Sequence, residues 1–89
     1  MTFRLKKSEV AYRKIGDDFF VLTPHDSTLH NITGVGVRIM ELLDEDKDEA
    51  AILRVLVEEF DAPAAEVEKD LRAFLSELAA KGIVSENET

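Results

Sequence analysis

Residues 28 to 43, Thr-Leu-His-Asn-Ile-Thr-Gly-Val-Gly-Val-Arg-Ile-Met-Glu-Leu-Leu, change periodicity halfway. Leu29 to Ile32 is short, rich in β-formers and preceded by a turn signal, which predicts a strand. Val35, Ile39, Leu42 and Leu43 recur at helical spacing. Thr33 stands at the changeover, where its hydroxyl is expected to cap the first free N–H groups of the helix. Everything before this joint reads as strand and everything after it as helix. A chain built this way must hang a small sheet on a helical layer.

Upstream, Ser8 to Ile15 alternates, with Val10 and Tyr12 on one face and Ala11, Arg13 and Ile15 on the other. Gly16-Asp17-Asp18 is a turn signal. Phe19-Phe20-Val21-Leu22 is a continuous apolar run, the pattern of a central strand buried on both faces. Thr23 to Ser27 is a second turn, in which Pro24 presets φ. Connections this short predict an antiparallel meander with Phe19–Leu22 in the middle and Leu29–Ile32 at an edge.

Downstream, a first helix is expected over about Gly34 to Leu43. Two glycines near its start weaken it by roughly 1 kcal/mol each, which points either to close backbone packing there or to simple tolerance near a helix start. Gly34-Val35-Gly36 is no dinucleotide fingerprint, because Ile39 stands where a third glycine is required. Asp48 is placed to cap a second helix, about Glu49 to Phe60, with Ile52, Val55, Leu56 and Phe60 as its buried stripe. Asp61-Ala62-Pro63 breaks it, and Pro63 suits the first turn of a third helix that runs to about Lys81. The buried stripe of that helix is Val67, Leu71, Phe74 and Leu78, with Leu75 and Ala79 alongside. Gly82 is a C-terminal cap. Ile83-Val84 is expected to form a brief strand or to pack on the core, and Ser85 to Thr89 to fray. The expectation is a single α+β domain over 1–89, ordered over about 8–84. It has a three-stranded antiparallel sheet followed by three helices, winged-helix-like in shape.

The 89 residues are 45% apolar, enough for one modest core. Cysteine is absent from the sequence, which excludes disulfides, thiolate nucleophiles and cysteine metal sites. The first residues lack the apolar run of a signal peptide, and no run approaches the ~20 residues of a membrane span. The location expected is the cytoplasm, away from membranes. The net charge of −8 is uneven. Residues 1–15 carry five basic residues against Glu9, whereas the remainder carries 6 basic and 18 acidic residues. The winged-helix shape raises a regulator that places its third helix in DNA. Residues 64–81, with three basic and four acidic residues, oppose an approach to phosphates. Nucleic acid is therefore not an expected partner.

The sequence contains no Gly-x-Ser-x-Gly, no His-Glu-x-x-His and no phosphate loop. His25, Asp26 and His30 lie near one turn, but a turn histidine and a strand histidine account for them without a metal. Glu66, Glu68, Lys69, Asp70, Arg72 and Glu77 form a solvated helix face rather than a tuned acid–base pair. Neither catalysis, nor a metal, nor a cofactor is expected. What remains is the edge of the third strand, a template for an incoming extended peptide or for a second copy of the chain. Homodimer formation by edge association, aided by the basic N-terminal strand against acidic surface on another copy, is an expectation of the same feature. A structural interaction module without a peptide ligand is the remaining alternative.

Several residues together resemble the PqqD family, small peptide-recognition domains of ribosomal peptide modification. They are Leu22-Thr23-Pro24, Leu29-His30-Asn31-Ile32-Thr33, then Gly36, Ile39, Leu43 and Asp44. Leu56, Glu58-Glu59-Phe60-Asp61 and Pro63 follow, and then Asp70-Leu71-x-x-Phe74-Leu75-x-x-Leu78-x-x-x-Gly82-Ile83. The resemblance runs ungapped from about Phe20 to Ile83. It implies a non-catalytic domain that holds the leader of a precursor peptide as an added strand and presents it to a modifying enzyme, a radical SAM protein in many members. Carried over, the peptide-binding positions are Thr28, Leu29, His30, Asn31, Ile32 and Thr33 with Val67, Asp70, Leu71, Phe74 and Leu78 on the third helix. The family's Leu-Asn at the strand end is Ile32-Thr33 here, and its preceding aromatics are Leu29 and His30. The glycine after the first helix is Glu45. These differences imply a PqqD-like recognition protein for pyrroloquinoline quinone or another ribosomal peptide product, rather than the cofactor-pathway member itself.

Overall fold

Gly16 takes φ +61° and closes a two-residue hairpin between Ala11–Ile15 and Asp18–Thr23, so that Ile15 faces Asp18 across the turn. Left-handed backbone at this position matches the twist of the paired strands. In the computed structural model, which describes residues 2–87, the elements are β1 (Thr2–Leu5), β2 (Ala11–Ile15), β3 (Asp18–Thr23) and β4 (Thr28–Ile32), then α1 (Val35–Asp44), α2 (Glu49–Phe60), α3 (Ala64–Ala80) and β5 (Val84–Asn87). β2, β3 and β4 form the expected antiparallel meander with β3 in the middle. The α+β class and the order of a three-stranded sheet followed by three helices are as the sequence indicates.

The second sheet was not expected. β1 pairs antiparallel with β5, Phe3 opposite Glu86 and Leu5 opposite Val84. Order therefore begins well before residue 8 and continues to Asn87, so part of the stretch assigned to fraying is a strand; Glu88 and Thr89 lie outside the described residues. The physical reason is burial, since Phe3, Leu5, Ile83 and Val84 all enter the core. Strand β2 is correspondingly shorter than expected. Residues 6–9 turn instead, with the Glu9 and Val10 N–H groups both donating to the Lys6 carbonyl.

A second correction concerns β3. Phe19, Val21 and Thr23 are buried, but Phe20 is half-buried and Leu22 exposed. Only one face of the sheet meets the helices, because three helices suffice to cover one side. A third concerns the joint itself. Thr33 makes no capping bond; the N-cap is Gly34, at φ +64°, without a side-chain cap. The chain turns into α1 through left-handed backbone rather than through a hydroxyl, and glycine adopts that conformation without the Cβ penalty.

The other helix ends follow their sequence signals. The Asp48 carboxylate accepts from the Ala51 N–H at 2.8 Å. Pro63 is the N-cap of α3, one place earlier than expected, and its carbonyl accepts from Glu66 and Val67. At the far end Gly82, φ +79°, completes a Schellman motif: Ile83 N–H donates to Leu78 O and Gly82 N–H to Ala79 O.

Two of the basic residues near the N-terminus, Lys7 and Lys14, are paired within the chain. Lys7 donates to the Asp44 carbonyl at 2.8 Å and lies 3.2 Å from the Asp46 carboxylate. Lys14 pairs with Glu41 at 3.0 Å. Both cations so sit at the negative, C-terminal end of α1. Tyr12 stacks on Phe19 at 6.0 Å and donates to the Asp44 carboxylate at 2.7 Å. That bond, with partial desolvation and the Asp44 and Asp46 charges, pushes the phenol up to about 12.

Candidate functional site

The outer edge of β4 has no strand partner among the described residues. Along β4 the side chains alternate: Leu29 and Asn31 point to solvent, whereas Thr28, His30 and Ile32 turn toward the helices. Thr28 belongs to the turn; its N–H and hydroxyl both bond to Asp26. The Thr23 hydroxyl, fully buried, donates to the Asp26 carboxylate and lies 3.1 Å from His30 Nε2. The same hydroxyl lies 3.3 Å from the Thr28 carbonyl, so that Thr23 ties the turn to the start of β4. The Thr23 and Thr28 bonds hold the Asp26 carboxyl below the usual carboxylate range.

Helix α3 lies beside β4. Its core contacts are Leu71, Leu75 and Leu78, while Val67 and Phe74 are only half-buried. This rotates the buried stripe away from the expected one. Leu75 takes the central core place, and Val67 and Phe74 stay partly open, Phe74 beside the strand and Val67 between the helices. Two concave chambers result, with Phe74 in the wall of both.

The first chamber, about 290 Å³, lies directly against the strand. It is lined by His30, Asn31, Ile32 and Thr33 on one side and by Phe74, Glu77, Leu78 and Lys81 on the other, with Ile83 below. The second, about 400 Å³, lies beyond the end of the strand, between α1, α2 and α3. Val67, Asp70, Leu71 and Phe74 of α3 meet Val35 and Ile39 of α1, and Leu56 and Phe60 of α2, there. Val35 is 49% and Phe60 50% exposed, and lining one chamber together they make a contiguous apolar patch rather than scattered exposure. Gly36 is why Phe74 can sit between the chambers. A Cβ on Gly36 would stand 2.8 Å from Ile32 Cγ2 and 3.1 Å from Phe74 Cζ. Of the two glycines only Gly36 is closely packed; a Cβ on Gly34 would meet nothing within 4 Å.

Of the eleven positions singled out in the sequence, His30, Asn31, Ile32, Thr33, Phe74 and Leu78 gather around the first chamber, and Val67, Asp70, Leu71 and Phe74 around the second. Leu29 is 63% exposed on the opposite face, and neither it nor Thr28 lines a chamber. Sequence reasoning missed Val35, Phe60, Glu77 and Lys81. Phe60 was assigned to the core of α2, and its place at the helix end beside left-handed Asp61 was the available signal. His25 and His30 do not converge: the His25 ring packs on Gly82, and its Nε2 is 3.7 Å from Asp26. Among the described residues no three His, Cys, Asp or Glu side chains are grouped as a metal would require.

An α+β domain with an unpaired sheet edge beside a helix and a divided groove defines a binding module. The pattern of the family described as Coenzyme PQQ synthesis protein D (PqqD) matches residues 18–84, and the chain belongs to that family. Two solved structures share the fold. One is TbiB1 in complex with the TbiA(beta) leader peptide, 29% identical, with 97% of this chain and 99% of that chain covered at a TM-score of 0.89. The other is a lasso peptide synthetase B1 complexed with the leader peptide, 18% identical, covering 94% and 98% at a TM-score of 0.82. No curated protein sequence matches the chain.

Proposed function

We infer that the protein is a non-catalytic recognition element, which captures the leader segment of a ribosomally made precursor peptide and presents it to a modifying enzyme. The observation that carries this reading is the unpaired edge of β4 beside the groove under α3. A strand added there completes the backbone hydrogen bonds of the edge. Its alternate side chains then descend into the chambers on either side of Phe74. Family membership and the likeness to a chain in complex with a leader peptide support the same reading. The enzyme served is one that modifies peptides, a radical SAM protein being one class, and the product is pyrroloquinoline quinone or another ribosomal peptide product. The place of work is the cytoplasm, where the precursor is made. No helix among the described residues is long and apolar enough to cross a membrane.

Amide chemical-shift mapping with synthetic leaders, the TbiA(beta) leader among them, tests the groove. Shifts should concentrate at Leu29 to Thr33 and along the Val67–Lys81 flank of α3. Shifts confined to α2 or to β1, with residues 29–33 untouched, would sink the reading. Proline supplies a sharper arm, because N–H groups on an edge strand point outward on alternate residues. Of the adjacent pair His30→Pro and Asn31→Pro, one should keep the sheet and lose leader binding. The other should break pairing with β3.

A further inference from the structure

We propose that the leader recognised by this chain carries a lysine or arginine within two residues of the bulky apolar side chain that fills the larger chamber, and that Asp70 selects it. The proposal rests on the groove reading given above. Around the larger chamber the lining is apolar with one exception, the Asp70 carboxylate. That carboxylate has no hydrogen bond or ion pair among the described residues. Several acids on the helices are matched, Glu59 by Arg38 at 2.8 Å, Glu49 by Arg72 at 3.0 Å and, at the smaller chamber, Glu77 by Lys81 at 3.9 Å, whereas Asp70 is the acid that lines the larger chamber. On α3 itself the neighbours of Asp70 at three and four positions are Glu66, Val67, Ala73 and Phe74. No cation of the helix can reach it through the usual surface spacing.

The chemistry of the missing partner follows from the surroundings. The net charge of −8, and Glu66 one turn away, set a negative potential that attracts a cation and repels an acidic side chain. Lysine and arginine also suit the lip of the chamber. Their methylene stems lie along apolar surface such as Val67 and half-exposed Phe60, while the charged head stays in water beside the carboxylate. An extended peptide rises about 3.3 Å per residue, so two residues span about 7 Å, within the reach of such a side chain.

The test selects peptides from a displayed library of random sequences on the full chain and on its Asp70→Lys variant. Asp70 is exposed, and the amide spectrum of the variant confirms that it folds. The wild-type chain should enrich peptides with a large apolar residue and a lysine or arginine within two positions of it. Asp70→Lys should keep the apolar residue and exchange the basic one for aspartate or glutamate. For a selected peptide, Asp70→Asn should weaken binding about three- to fivefold, as an exposed ion pair does, and added salt should shrink that difference. Enrichment of the apolar residue alone, or with a tyrosine in place of the cation, overturns the role of Asp70. So does a basic preference that survives Asp70→Lys. Failure of the groove reading looks different: no apolar-anchored peptide is enriched, or the enriched ones leave the amides of residues 29–33 unshifted, and the proposal falls with it.

Discussion

Gly36 is the residue on which the shape of the groove turns. It lies in the first turn of α1, where alanine would ordinarily gain up to about 1 kcal/mol in helix propensity. Its missing Cβ leaves the space taken by the Ile32 methyl and the edge of the Phe74 ring. Ile32 is β-branched and held in the sheet, so it yields little. Gly36→Ala should therefore destabilise by about 1–2 kcal/mol net, as overpacking outweighs propensity. It should also displace Phe74 and weaken leader binding by more than the loss of stability explains. Thermal melts and a binding titration on the same variant check both, and a variant that melts higher with unchanged binding would show the contact to be slack. Phe74→Ala is the companion measurement. Because Phe74 is only half-buried, its truncation should cost about 1–2 kcal/mol, below the ~3–5 kcal/mol of a fully buried ring.

At the scale of elements, the decisive one is β1. Four residues pair with β5 and bring Phe3 and Leu5 against Ile83 and Val84. The Lys6 N–H adds a bond to the Ile83 carbonyl at 3.0 Å. Each buried side chain of this size contributes about 1.5–3 kcal/mol, and a domain of this length has about 5–15 kcal/mol in all. Removing residues 1–5 should lower stability by about 3–5 kcal/mol and free β5. Hydrogen exchange should then show lost protection at residues 83–87, reaching the end of α3 and so the smaller chamber, to which Ile83 contributes. A truncated chain with unaltered exchange at Ile83 would contradict the account.

For the whole molecule, the balance lies between a sticky edge and a repulsive charge. The outer side of the sheet exposes Ile15, Leu22 and Leu29, and the β4 edge beside Leu29 is unpaired. Such edges associate, while a net charge of −8 opposes contact between copies. Reversible dimers should form at millimolar protein and moderate salt, more readily as salt screens the charge. A bound leader should dissociate them, because it occupies the same edge. Light scattering that finds only monomer across this range, or dimers indifferent to a bound leader, would show that copies do not meet through β4.

Local patterns carried much of this protein. The alternation and turn residues from Ala11 to Ile32 dictate a meander with β4 at its edge, and helical spacing with Asp48, Pro63 and Gly82 marks the three helices to within a residue or two. Those signals act over a few neighbouring residues, so they survive without knowledge of the fold. Four features did not. β1 is four residues long and pairs with a strand some eighty positions away, a contact that no local period encodes. Thr33 has the right chemistry for a cap, but the backbone at Gly34 turned left-handed and left it unused. The apolar run of β3 reads as buried on both faces, yet only the Phe19–Val21–Thr23 side found a layer to cover it. The stripe of α3 allowed several rotations. Packing of Leu75 into the core, with Gly36 making room for Phe74, set Phe74, Glu77 and Leu78 beside β4 and Val67 and Asp70 in the chamber between the helices. The sequence by itself determined which elements exist and which strand lies open; tertiary packing alone decided which side of α3 faces it, because that choice rests on how side chains from distant segments fill one core.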